Sequence, residues 1–352
     1  MPIFCQLADP DRYVVSEWNI GADPVDREYW LGLFERFPSY IEPLLRADPL
    51  QAGVDFNAKW SAFLTEWHDG LVEIREQVEQ GRRLMTINLT RYRNRLLAHY
   101  GWPDPYRQVK ARENELATQL YPGVIERIDA TSAEPRWELL FRSIFAGNMF
   151  DLGTPKTIEM YHNGQIDFHQ ILDRVPSRPW FIDHADTLIQ RLNEPGRYRQ
   201  VLIFVDNAGA DIVLGVIPLA REMARVGLRV VLAANDGPTL NDITIDELRP
   251  LLQTLASSDK ILSHLLTNDR LVAIGSGGDT PLIDLGRVSE ICNHEAARSE
   301  LVILEGMGRG VESNWEQRFQ CDVARIALLK DESVVRHRGA KLFDAVCRCD
   351  FI

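Results

Sequence analysis

Paired cysteines are absent from this 352-residue chain. Cys5, Cys292, Cys321, Cys347 and Cys349 form no CxxC motif and no array with the eight histidines. An odd, scattered set of this kind excludes a disulfide framework or a structural zinc and reads as reduced thiols in a cytoplasm. No HExxH spacing occurs, and no Gly-Lys pair exists to close a GxxxxGK[ST] phosphate loop. A basic surplus is lacking too, since 39 Lys and Arg stand against 51 Asp and Glu, a net charge of −12. Nucleic-acid backbones call for the opposite sign, so they are not expected partners. The most apolar long window, 201–220, is interrupted by Asp206, Asn207 and Asp211, which excludes a bilayer span there. The first residues show neither the basic start nor the apolar run of a secretory leader.

What is present divides near Gly196. From Phe56, the residues Trp60, Phe63, Trp67, Leu71, Ile74 and Val78 recur at three- and four-residue steps, predicting a long amphipathic helix closed by Gly81. Trp137, Leu140, Phe141, Ile144 and Phe145 repeat the pattern, and Gly-Trp-Pro-Asp-Pro at 101–105 separates two helical segments. A helix over about 183–193 precedes the boundary. Residues 1–195 therefore read as a mainly helical region and 196–352 as an α/β domain, in line with a length prior of roughly two domains. In the second part, strand-like apolar runs occur at 201–205, 228–234, 270–274, 301–304, 325–329 and 343–347. Helical patterns at 211–226, 246–257 and 315–321 alternate with them, predicting a doubly wound, mainly parallel sheet.

Ligands of such sheets sit outside the carboxyl ends of the strands, so the residues that follow each run carry the functional signal. Asp206 and Asn207 end the first run, Asp242 follows the second in Asn235-Asp-Gly-Pro-Thr-Leu-Asn-Asp242, and Ser276-Gly277-Gly278 follows the third. Glu305-Gly306-Met-Gly308-Arg309-Gly310 follows the fourth and Lys330 ends the fifth. All should converge on one edge. Asp206, Asn207 and Asp242 offer hard oxygen ligands suited to Mg²⁺ or Mn²⁺; the alternative is that they cap the next helices. Ser276, Gly277, Gly306 and Gly308 read as backbone cradles for an anion or as plain tight turns. Lys330 emerges from an apolar run, either to meet a phosphoryl oxygen or to snorkel outward. Asn148 and Asp151, after Gly147, stop a helix or line the lip of the cleft. The arginines of 82–95 (Arg82, Arg83, Arg91, Arg93, Arg95) read first as a solvated face and second as a surface greeting an anionic substrate.

Four segments occur in an order that resembles a known family: Ala146-Gly-Asn-Met-Phe-Asp-Leu-Gly153, Val205-Asp-Asn-Ala-Gly209, Ala234-Asn-Asp-Gly-Pro-Thr-Leu-Asn-Asp-Ile-Thr244 and Leu304-Glu-Gly-Met-Gly-Arg-Gly310. They are similar to the motifs of the metal-dependent damage-control phosphatases. The branch they look like holds stand-alone plant proteins and the phosphatase domain fused to pantothenate kinases. The resemblance runs from the Trp30 region to Lys341-Leu-Phe343. It implies a three-layer α/β/α fold with an N-terminal helical bundle and a divalent metal (Mg, Mn, Co or Ni) on Asp206, Asn207 and Asp242. It also implies Lys330 as the active-site lysine and 4′-phosphopantetheine or its oxidised forms as substrate. On this reading Asp206 and Lys330 are catalytic, and Asn148, Asp151, Ser276, Gly277, Glu305, Gly306, Gly308 and Arg309 contact a small phosphorylated substrate. Asp236, and Gly277-Gly278-Asp279, depart from the family pattern at the substrate rim. A sugar phosphate is the alternative substrate. An S-adenosylmethionine-dependent methyltransferase and a non-catalytic binding domain are the other classes. Neither a nucleic acid nor a membrane is an expected partner, and a homo-oligomer is compatible with the sequence.

Overall fold

A computed structural model describes residues 1–51, 55–149 and 168–352. Asp151, expected at the lip of the cleft, lies outside them. Five long helices come first: α1 (Pro24–Ala47), α2 (Phe56–Glu79), α3 (Thr86–His99), α4 (Arg107–Ala130) and α5 (Ala133–Met149). Asp55 caps α2 by accepting from the Ala58 N–H at 3.2 Å. The expected apolar stripe of α2 becomes an aromatic stack. The rings of Trp60 and Phe63 lie 5.1 Å apart, those of Phe63 and Trp67 5.6 Å, and Phe37 of α1 meets Trp67 at 5.4 Å. Aromatic pairs at such spacing add to the area that they bury.

Among the described residues the sheet has seven strands: β1 (Ile182–Asp183), β2 (Gln200–Phe204), β3 (Arg229–Ala234), β4 (Leu271–Gly275), β5 (Leu301–Glu305), β6 (Asp322–Leu328) and β7 (Ala345–Asp350). Their order is β1-β7-β6-β5-β2-β3-β4, parallel throughout except for β6 against β7. Side-chain alternation builds the layers. Val201 and Ile203 share a core with α4, α5 and the helices Ile217–Arg225 and Ile245–Ala256. Leu202 and Phe204 face the other way, against Phe4, Leu7 and helix Glu290–Ala296. On that same second face Ala327 and Leu329 pack with α1–α3. The result is the expected α/β/α arrangement with a helical bundle. None of the described helices is long and apolar enough to cross a membrane.

Two expectations need correction, and the helix over 211–226 gains a detail. Residues 315–321 are not helical: Phe319 pairs with Leu7 as an isolated bridge, and the buried Arg325 guanidinium holds the carbonyls of Asn314 (3.0 Å) and Gln317 (2.7 Å). The helix expected over 211–226 starts as a π-helical turn, Asp211–Val216, before Ile217–Arg225 continues it. Pro218 explains the widening, because it has no N–H to give an i−4 carbonyl. The solvated-face reading of 82–95 fails at Arg93, which is 4% exposed and donates to Thr239 Oγ1 at 2.8 Å.

Strand order reverses between β5 and β2. Chain segments leave these two neighbours toward opposite sides of the sheet, opening a crevice at their carboxyl ends. Asp206 and Glu305 stand at that crevice.

Candidate active site

The two strand ends are tied to each other. The Asp206 N–H donates to Glu305 Oε2 at 2.9 Å, and Asn148, at the end of α5, donates through Nδ2 to Glu305 Oε1 at 3.3 Å. Gly306, at φ +95°, lets the chain turn directly beneath Asp206; a Cβ there would run into the Asp206 carboxyl group. Asn207 turns its amide nitrogen toward Asp206 Oδ2 (3.0 Å) and Asp211 Oδ2 (2.9 Å). Carboxylate oxygens of Asp206, Asp211 and Glu305 all lie within 4.8 Å of one another, and all three residues are buried.

Asp242 joins from the loop after β3. It forms a bridge with Asn207, and its Oδ2 accepts from Asn235 Nδ2 at 3.1 Å and from Arg309 Nη2 at 2.7 Å. Arg309 also pairs with Asp206. Asp242 is not needed as a helix cap. The N–H of Thr244 at the start of helix Ile245–Ala256 goes to Glu247 Oε2 at 2.8 Å, the return half of a capping box. Lys330 is an exposed residue, but its Nζ donates to the Asn148 carbonyl at 3.0 Å.

So many acids in one dry place cannot all be charged cheaply. Burial, and then the charge of Asp206, push the Asp211 carboxyl up to about 6, with Lys330 opposing the shift. Burial pushes Asp242 up to about 7 against the pull of Arg309. Glu305 rises well above the ordinary range through burial and its neighbours Asp211 and Asp206. Burial works against the charge of Arg309, yet Asp206 and Asp242 outweigh it and hold the guanidinium above its usual value.

Beside this cluster opens a cavity of about 280 Å³, lined among others by Glu113, Asn148, Asn207, Asp211, Asn241 and Lys330. Three buried acceptor oxygens in this region, Asp211 Oδ1, Asn148 Oδ1 and Asn235 Oδ1, have no hydrogen-bond partner among the described residues. Unpartnered buried acceptors beside uncompensated carboxylates create a demand for a cation, and the all-oxygen donor set suits a hard divalent metal. The buried acidic cluster could therefore bind a metal ion. Asp206, Asn207 and Asp242 are brought together as the sequence suggested. Asp211 and Glu113 were not singled out there. The period-four spacing of Asn207 and Asp211 on one turn was a usable signal, whereas Glu113 arrives from a distant helix.

Ser276 and Gly277 go elsewhere. Their loop lines a separate cavity of about 540 Å³ together with Arg91, Arg95 and Arg287. The Gly277 N–H is taken by the carboxylate of Asp236, and the Gly278 N–H by Ser276 Oγ at 3.1 Å. The Gly306 N–H is spent on the Ile326 carbonyl at 3.0 Å, and the Gly310 N–H on the Gly306 carbonyl at 3.1 Å. Glu305, Gly306, Gly308 and Arg309 thus act through the shape of their turn and through two side chains.

Residues 47–346 match the model of the damage-control phosphatase ARMT1-like domain. The chain belongs to the damage-control phosphatase family. A damage-control phosphatase of Arabidopsis thaliana is 40% identical over 262 residues, covering 74% of this chain and 71% of that protein. Pantothenate kinase 2 of the same plant is 31% identical across 99% of the chain, and the mouse (Mus musculus) 4′-phosphopantetheine phosphatase is 27% identical across 97%. The matched part makes up 42% and 47% of those two longer proteins. Among solved structures, a DUF89 family protein from Pyrococcus horikoshii shares the fold, with a TM-score of 0.66 over 91% of this chain and 96% of its own at 15% identity. Within this family, the strand-end cluster of Asp206, Asn207, Asp211, Asp242, Glu305 and Lys330 is the candidate catalytic centre.

Proposed function

We propose that this protein is a metal-dependent phosphomonoesterase that hydrolyses a small phosphorylated metabolite, with 4′-phosphopantetheine and its oxidised forms as substrates and sugar phosphates as the second class. One observation carries the reading: a dry cluster of carboxylates with unpartnered oxygens adjoins a small cavity that also presents Lys330. The substrate class is supported by the mouse relative, a 4′-phosphopantetheine phosphatase that aligns over 97% of the chain.

Asp206, Asn207 and Asp242 would hold the metal, Mg²⁺, Mn²⁺, Co²⁺ or Ni²⁺, with Asp211 and Glu305 adding negative charge close by. When bound, such an ion supplies Lewis-acid polarisation of a phosphoryl oxygen and lowers the pKa of water. The remaining work falls to the chain itself. Lys330 Nζ, now resting on the Asn148 carbonyl, is placed to pair with a phosphate oxygen and to offset charge that grows in the transition state. Asp206 is assigned the role of a ligand and not of a nucleophile; its Oδ1 now pairs with Arg309 and its Oδ2 accepts from Asn207. Asp211 lines the cavity with its Oδ1 unpartnered, and its raised pKa of about 6 suits a group that takes a proton from attacking water. Asn148 and Glu113 bring the helical region to the reacting end, while the carboxylates of the cluster and Lys330 lie beyond Gly196. Buried, unpaired Cys292, Cys321, Cys347 and Cys349 support a reducing, cytoplasmic setting.

The test is phosphate release from 4′-phosphopantetheine and from sugar phosphates with each of the four metals. Activity is expected with at least one metal and must vanish in Asp206→Ala. No release with any metal, or full activity in that variant, overturns the reading.

A further inference from the structure

Arg309, expected as a substrate contact, is taken up by the acids of the site itself. Its side chain is completely buried, and it stands between Asp206 and Asp242, the carboxylates of two neighbouring strand ends. Nη2 donates to Asp242 Oδ2 at 2.7 Å, Nη1 pairs with Asp206 Oδ1 and also reaches the Pro281 carbonyl at 3.3 Å, and Nε has no partner among the described residues.

The chain around it is built for this placement. Arg309 sits on a π-helical turn, Gly308–Glu312, of the kind that recurs at functional sites. Gly308 lies so close to Pro281 that a Cβ would strike its carbonyl oxygen. Ser313 Oγ clamps the turn from below, on the carbonyls of Gly308 (2.7 Å) and Arg309 (3.2 Å). A buried guanidinium with an unsatisfied Nε is costly unless its charge is needed where it stands. Here it is needed: among the described residues four acids, Asp206, Asp211, Asp242 and Glu305, meet in one dry place.

We propose that Arg309 is an internal counter-cation that holds the Asp206 and Asp242 carboxylates in place and competes with the metal for their oxygens, so that loading the metal loosens the guanidinium. The proposal rests on the metal reading of the site. Two positive charges cannot share the same carboxylate oxygens at full strength, and linkage makes the antagonism reciprocal: whatever Arg309 costs the metal, the metal costs Arg309. A guanidinium released from one carboxylate keeps free donors beside the phosphate position, where a planar fork suits an oxyanion. A merely structural arginine predicts the opposite sign, because losing a brace would disorder the ligands and weaken metal binding.

Calorimetric titration of Mn²⁺ into metal-stripped full-length protein separates the two. It is run at pH 8.5, so that protons do not replace Arg309 as the competitor. Arg309→Gln is expected to bind Mn²⁺ about tenfold tighter than the wild type, a coupling within the usual range, with a lower melting temperature before the metal is added and a larger rise after. Arg309→Lys, whose compact charge cannot span both carboxylates, should fall between. Equal or weaker binding by Arg309→Gln overturns the proposal while leaving the metal reading intact; no Mn²⁺ binding by the wild type overturns both. If Arg309→Gln cannot be kept folded without metal, the wild type decides. Its Arg309 Nε–Hε resonance in ¹⁵N spectra should shift on saturation with Mg²⁺, and an unmoved resonance rejects the competition.

Discussion

Two cavities open at the carboxyl edge of the same sheet, and they teach opposite lessons about what marks a site. The larger, about 540 Å³, has what a motif search favours: a glycine-rich loop and three arginines, Arg91, Arg95 and Arg287. Part of that charge is already answered. Arg91 pairs with Asp284, and the Gly277 amide that could cradle an anion is filled by Asp236 from within the chain. The smaller, about 280 Å³, borders carboxylates pushed above their ordinary range and acceptor oxygens without donors. Unresolved electrostatics, not volume or glycine content, mark the proposed reacting end. Perturbed groups cluster where function needs them.

The contrast can be broken in order of expected effect. Asp206→Asn should abolish metal binding and lower phosphate release by at least about 10³-fold, because it removes a unit that acts with its neighbours. A smaller loss in kcat would mean that Asp206 is peripheral. Lys330→Gln is expected to cost about 10²- to 10³-fold in kcat, the scale of one lost transition-state donor. Its melting temperature should barely move, since the residue is exposed; a matching loss of stability would point to a structural role instead.

Stability against pH gives a third comparison. Carboxyls with raised folded-state pKa keep protons that the unfolded chain has already released. Their stabilisation is complete below about pH 4 and is lost as the pH rises through about 6 for Asp211 and about 7 for Asp242. Metal-free protein should therefore melt lower at pH 8 than at pH 5. Paired acids such as Asp129 and Glu222, held below their usual values, are ionised in both states across that window and drop out. His337, lowered by burial, works in the other direction. The difference between the wild type and Asp211→Asn isolates the cluster: the variant should lose less on going to pH 8, and parallel curves would rule the account out. Last and smallest, Asp236→Asn in the larger cavity should change kcat/KM by no more than about twofold. A loss comparable to that of Lys330→Gln would make the larger cavity part of the reacting site and dissolve the comparison.

The strands, the aromatic stripe of α2 and the edge carrying Asp206, Asn207, Asp242, Glu305 and Lys330 were legible in the sequence, because period and chain order encode them locally. Residues 315–321 misled because Trp315 and Phe319 stand at helical spacing, while the contacts that extend the segment come from Leu7 and Arg325. Arg93 looked like one more surface arginine. Its burial against Thr239 depends on α3 docking onto the loop after β3.

Sequence alone determined that buried strands end in oxygen-bearing residues, since alternation and turn chemistry are properties of neighbours along the chain. Only the tertiary structure decided which of those ends face an unfilled demand for charge. Asp236 answers Gly277, Arg309 answers Asp206 and Asp242, and Asp211 and Asn148 each keep an oxygen with no donor. Charge interactions depend on distance and on the loss of water, and both are set by residues far apart in sequence.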